Sequence, residues 1–109
     1  MPKQFTPIND TQAFAELLTQ SEQQPVILFK HDFTCPISAA AHRQLERLPN
    51  PVYLIDVSDQ PLSLGVADQI GVEHQSPQVI VLRHGQPVWD AALYDINATG
   101  VHAATQQHP

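Results

Sequence analysis

Three apolar runs punctuate the chain: VILFK (26–30), VYLIDV (52–57) and QVIVLR (78–83). Each has the length of a strand and is rich in β-branched or aromatic residues. Each is continuous rather than alternating, which is the pattern of strands covered on both faces. Between them the apolar positions fall at helical spacing. Phe14, Leu17 and Leu18 follow the capping sequence Asn9-Asp10-Thr11, predicting a helix from about Thr11 to Thr19. Pro36 suits the first position of a helix, where its missing N–H costs nothing. Ile37, Ala41, Leu45 and Leu48 then form one stripe, stopped by Pro49-Asn50-Pro51. Leu62 to Ile70 makes a short helix closed by Gly71. After the third run, His84–Pro87 reads as a turn and VWDA (88–91) as a returning antiparallel strand. A last helix begins near Asn97 and carries Val101 and Ala104, and the tail QQHP is expected to fray.

The predicted order is α-β-α-β-α-β-β-α. Strands that alternate with helices imply parallel pairing, right-handed crossovers and helices on both faces of the sheet. The closing hairpin adds an antiparallel strand. The expectation is an α/β, thioredoxin-like fold with a four-stranded mixed sheet. It is one domain over residues 1–109, with an ordered core of about 8–105.

Composition narrows the function. Five basic residues stand against eleven acidic ones, for a formal charge of -6. The bases are scattered at Lys3, Lys30, Arg43, Arg47 and Arg83, so a sequence-independent grip on nucleic-acid phosphates is not expected. No segment approaches the roughly 20 apolar residues needed to span a bilayer. The N-terminal MPKQFTPIND shows no apolar signal region. One cysteine cannot form an internal disulfide, and a reducing, cytoplasmic setting is the default expectation.

That cysteine, Cys35, sits in FTCPIS (33–38), between the end of an apolar strand and a Pro-started helix. Ligands favour this edge of an open α/β sheet. Helix starts carry unpaired N–H groups and a partial positive charge, which favour a thiolate over a thiol. A lone cysteine in a small domain is often only a buried hydrophobe; the position here favours a reactive one. Ser38 stands three residues on, where a redox pair would place its second sulfur. Its hydroxyl is able to donate to the sulfur or to serve the helix start, but it cannot resolve a mixed disulfide, so an outside thiol must. Ser76-Pro77 precedes the third strand, and an X-Pro bond there is a candidate for the cis form. In a thioredoxin-like fold this loop lies beside the catalytic sulfur. The six histidines show no metal-ligand spacing, and no metal site is expected. His74, just before the loop, faces either the cleft or solvent. Trp89 reads as core packing.

FKHDFTCPISAAA and VEHQSPQVIVLRHGQPVWDA together resemble the YtxJ family, the monothiol bacilliredoxins of bacteria that use bacillithiol. The resemblance runs over roughly residues 8–105 and departs from the family pattern at Ala92-Leu93. It implies thiol–disulfide exchange with no bound cofactor and with bacillithiol, a small cysteine-containing thiol with a malate group, as co-substrate. It implies that Cys35 is the nucleophile and that Pro77 takes the cis-proline role; in a thioredoxin-like fold the backbone of Ser76 before it pairs with bound substrate, and Pro36 and Ser38 flank the sulfur. The partners would be bacillithiolated client proteins and the free low-molecular-weight thiol. Because bacillithiol is anionic and the chain is acidic, a local positive field is required. The helix start supplies part of it, and Lys30 or His31, with Arg43 nearby in sequence, is a candidate for the rest. Two other functions fit the residues: an adaptor that binds an extended client along the Ser76-Pro77 loop without turnover, and a thiol peroxidase that oxidises Cys35.

Overall fold

The computed structural model describes residues 4–109; Lys3 lies outside them. The strands are β1 (Phe5–Pro7), β2 (Val26–His31), β3 (Val52–Asp56), β4 (Gln78–Arg83) and β5 (Gln86–Ala92). The helices are α1 (Thr11–Gln20), α2 (Pro36–Leu45), α3 (Gln60–Ile70) and α4 (Ala98–Gln107), with a 3-10 turn at Leu93–Asp95.

The sheet has five strands in the order β1-β3-β2-β4-β5, not four. The additional strand, Phe5–Pro7, pairs parallel with Val52–Leu54 at the sheet edge. Its neighbour Gln4 ties it down, donating through Nε2 to the carbonyls of Leu45 (2.8 Å) and Leu48 (2.9 Å). Strand structure therefore begins at Phe5. A second difference concerns direction. β2 and β3 are parallel, but β4 runs antiparallel to β2, with Gln78 opposite Lys30. The segment after α3 returns the chain to the edge that β3 left, so β4 starts beside the end of β2.

Strand alternation sends side chains to two cores. Ile27 and Phe29 of β2 join Val79 and Val81 of β4 under α2 and α4, where Ala41, Leu45, Val101 and Ala104 close the cluster. Val26 and Leu28 join Ile80 and Leu82 under α1 and α3, against Phe14, Leu17, Leu62 and Val66. Both faces of β2 are covered, which explains its unbroken apolar run.

Local chemistry sets the boundaries. The Asp10 carboxylate caps α1 by accepting from the Ala13 N–H at 2.8 Å, and Asn97 caps α4 through the Gly100 N–H at 2.8 Å. α2 ends at Leu45, short of Leu48, because the chain tightens into turns before Pro49. Gly71 terminates α3 with φ +74°, a conformation that suits glycine. His84 and Gly85, both at positive φ, make a tight hairpin turn, so β5 starts at Gln86. At the C-terminus α4 continues to Gln107, into the QQHP segment, and Arg83 Nε donates to the Pro109 carbonyl at 2.9 Å. The same guanidinium holds the carbonyls of Ser21 and Glu22. Arg83 therefore serves the fold rather than a surface charge patch.

Candidate active site

β2, β3, β4 and β5 bring residues 32–35, 56–58, 76–77 and 93 to one edge of the sheet. Cys35 is the N-cap of α2, in extended conformation (φ −107°, ψ 124°), with Pro36 in the first turn. Proline at that position fixes the helix start and leaves the cysteine at the entrance. Cys35 is partly exposed and unpaired. Its N–H donates to the Asp32 carbonyl and its own carbonyl accepts from Ala39. Its sulfur makes no capping hydrogen bond to the helix.

The Ser76–Pro77 peptide is cis. The Pro77 carbonyl accepts from the Leu93 N–H at 3.0 Å, which fixes Leu93 beside this loop. The loop is also held from below. Gln78, buried, donates through Nε2 to the Glu73 carbonyl and accepts at Oε1 from the Gln75 N–H. Ser76 between them has neither its N–H nor its carbonyl paired among the described residues.

Ser38 is fully buried, one turn into α2. Its oxygen accepts from the Asp32 N–H at 2.9 Å, so its single proton points to His31 Nδ1, 2.6 Å away. The hydroxyl thus ties the helix start to the end of β2. His31 is packed between Phe29 and Phe33, with His42 beyond. Burial, and then His42, pushes the His31 pKa below its ordinary value, while Asp32 and Asp56 pull the other way. A neutral imidazole that accepts at Nδ1 matches the Ser38 geometry.

Lys30 points to the opposite face and is also fully buried. Its Nζ donates to His74 Nδ1 at 3.2 Å. Burial lowers the Lys30 pKa to about 8, and burial together with Lys30 lowers that of His74. The two residues considered for a positive field beside Cys35 are thus engaged with Ser38 and His74. The His74 pairing joins residues 44 apart in the chain and was not legible in the sequence. A clue was present, though. In a strand covered on both faces, the two polar residues at its end must go one to each side. Arg43 lies on α2, beyond these contacts.

A cleft of about 540 Å³ opens beside the loop that carries Cys35. Asp32, Phe33 and Thr34 border it on one side, with Asp56 to Ser58, Ser63 and Leu64 opposite, and His74 and Ser76 close it. Phe33 and Leu64 are exposed at its rim, and Leu93 and Tyr94 are exposed beyond β5. Exposed apolar side chains therefore stand at the cleft rim and just beyond β5. Trp89 is half-buried against the α2–α4 core, as read from the sequence. Among the described residues, no group of three His, Cys, Asp or Glu is placed to hold a metal ion. No helix there is long and apolar enough to cross a membrane.

Comparison with known proteins agrees with this geometry. A solved protein assigned as an oxidoreductase with a thioredoxin fold is similar at 30% identity, with a TM-score of 0.82 over 93% of each chain. Fasciola hepatica thioredoxin shares the fold at 13% identity and TM-score 0.73, over 95% of this chain and 99% of that one. Spinach chloroplast thioredoxin f does so at 18% identity and TM-score 0.69, over 95% and 98%. The fold is thioredoxin-like, and the activity is that of a thiol–disulfide oxidoreductase. The profile of the monothiol bacilliredoxin BrxC matches residues 6–101, and the chain belongs to that family.

Proposed function

We propose that the protein removes bacillithiol from S-bacillithiolated proteins through a mixed disulfide on Cys35. The observation that carries this reading is the lone, partly exposed Cys35 at the start of α2, with a buried, hydrogen-bonded serine where a second sulfur would stand. In the first step the Cys35 thiolate attacks the bacillithiol sulfur of the client's mixed disulfide. A new S–S bond forms to Cys35, and the client thiolate leaves with the electron pair of the old one. Ser38 has no sulfur to attack the new bond, so resolution falls to a second bacillithiol. Its thiolate attacks the bacillithiol sulfur, gives bacillithiol disulfide and expels Cys35 as thiolate.

The unpaired backbone of Ser76 is suited to receive an extended client segment. Phe33, Leu93 and Tyr94 offer it apolar contact. Pro36 sets the helix start that presents the sulfur. The thiol co-substrate and the absence of a cysteine partner favour action in the reducing cytoplasm.

The test is intact-mass spectrometry of the reduced protein mixed with a bacillithiolated model protein, beside Cys35→Ser. Expected is a bacillithiol-sized adduct that moves to Cys35, clears when free bacillithiol is added, and never appears on the variant. Absence of transfer to an alkylatable Cys35 would refute the reading. Full client binding by Cys35→Ser without any transfer would favour the adaptor function instead.

A further inference from the structure

The cleft beside Cys35 contains polar groups that the exchange chemistry does not use. Ser63 is 1% exposed, on the inner side of α3, and its hydroxyl oxygen has no hydrogen-bond partner among the described residues. The Ser76 hydroxyl oxygen is likewise buried and unpaired. Both residues line the cleft. Unsatisfied buried hydroxyls are uncommon because each forfeits its hydrogen bonds to water. Two on one cleft call for a polar occupant.

The third component is the Lys30–His74 pair. Lys30 has no exposed surface, and no carboxylate pairs with it among the described residues. A buried ammonium without a counter-charge is costly. Its one partner is His74 Nδ1, and an ammonium only donates. His74 must therefore carry its proton on Nε2, which makes the cleft-lining imidazole a donor backed by a buried positive charge. Beside the Ser58 and Gln60 side chains on its wall, the cleft thus has two buried, unpartnered hydroxyls and one imidazole N–H as donors, an arrangement that suits an anion. Asp32 and Asp56 also line the cleft, their Oδ1 atoms already accepting from Thr34 and Ser58. They would repel a ligand that is anionic throughout. They would tolerate one that carries a cationic amine besides its acid groups.

We propose that this cleft binds the carboxylate end of the small thiol that is joined to Cys35 in the mixed disulfide, with Ser63, Ser76 and His74 as donors and Lys30 positioning His74 from beneath. The proposal rests on the reading that a small acidic thiol is the co-substrate. It also removes a conflict of charge. A diacid approaching a protein of net charge -6 is repelled at long range, and this site supplies the local attraction.

The experiment charges Cys35 of the full chain with 5-thio-2-nitrobenzoate and follows release of that coloured thiolate. The attacking probes are bacillithiol and bacillithiol with its malate carboxylates esterified. In each case the attacking thiolate forms a disulfide with Cys35 and displaces the aryl thiolate, so electrons balance. Each rate is normalised to attack by the same probe on a cysteine–nitrobenzoate disulfide free in solution. The expected result is a diacid-to-diester ratio of about tenfold in the wild type, the worth of one charge-assisted hydrogen bond. Ser63→Ala and His74→Phe should each bring the ratio towards one. Ser63→Ala is small enough to preserve the fold, and the ratio is internal to each variant. A wild-type ratio at or below one overturns the proposal, as does a ratio that survives in both variants. Failure of transfer from a bacillithiolated client, with the ratio intact, would remove the client reading and leave this site standing.

Discussion

Replacing Ser38 with alanine tests whether this hydroxyl is a structural tie or a partner of the sulfur. In the structure it satisfies two groups: it accepts from the Asp32 N–H and donates to His31 Nδ1. Ser38 is fully buried and His31 only 5% exposed, so water cannot replace the lost partner easily. Each orphaned buried group costs about 1–3 kcal/mol. The Asp32 N–H lies nearer the surface and takes the low end of that range. The sum is about 2–4 kcal/mol of lost stability, on a total that for a domain of this size is about 5–15 kcal/mol. The midpoint of thermal unfolding should fall by roughly 8–16 °C, at about 4 °C per kcal/mol.

The assay is urea unfolding followed by circular dichroism, with Cys35 kept reduced. A double-mutant cycle with His31→Phe identifies the partner. If the Ser38–His31 bond is the cause, Ser38→Ala costs about 1 kcal/mol less when the imidazole is already absent. A loss under about 0.5 kcal/mol would refute the argument, and so would the same loss in both backgrounds. Either result would free the hydroxyl to act on Cys35.

Three further outcomes follow from the same contacts. Ser38→Cys should be less stable than the wild type when reduced, since a thiol is a weaker donor and acceptor; if its sulfur reaches Cys35 it should also convert the monothiol cycle to a self-resolving one, read as loss of the bacillithiol adduct without added thiol. The His31 pKa is lowered by burial and by His42, so the unfolded chain takes up the proton first as pH falls. Stability should therefore be full above about pH 6.5 and decline as pH drops through the folded-state value; a decline of equal size in His31→Phe would exclude this residue as its source. Lys30 titrates near 8 against 10.5 when unfolded, so between those values the unfolded chain holds the extra proton. Wild-type stability should then rise relative to Lys30→Met as pH goes from 8 towards 10.5, and parallel profiles would show that Lys30 is not desolvated.

What the sequence revealed depended on whether a contact was local. VILFK, VYLIDV and QVIVLR announced β2, β3 and β4 because both faces of each are largely buried, and burial of that kind leaves a continuous apolar signature. Cys35 at a Pro-started helix after a buried strand, and the Ser76-Pro77 loop, were readable because turn and cap chemistry lies in neighbouring residues. Phe5–Pro7 left no such mark. It is three residues long, ends in proline, and owes its strand conformation to β3. The antiparallel course of β4 was missed for a related reason, because α3 does not by itself state at which edge the chain will re-enter the sheet.

The polar residues Lys30 and His31 illustrate the limit best. In the sequence they stand at the end of an apolar run as candidate charges for Cys35. In the fold they remain inside, because β2 is central and its last residues are covered by α3 on one side and by α2 on the other. Strand alternation then separates neighbours in the chain onto opposite faces. His31 goes to the α2 face and holds the turn that carries the sulfur; Lys30 goes to the α3 face and backs the cleft through His74. One dipeptide therefore supports both sides of the same edge. A central strand that ends in two buried polar residues beneath a helix-capping cysteine is the feature that ties the fold to its chemistry.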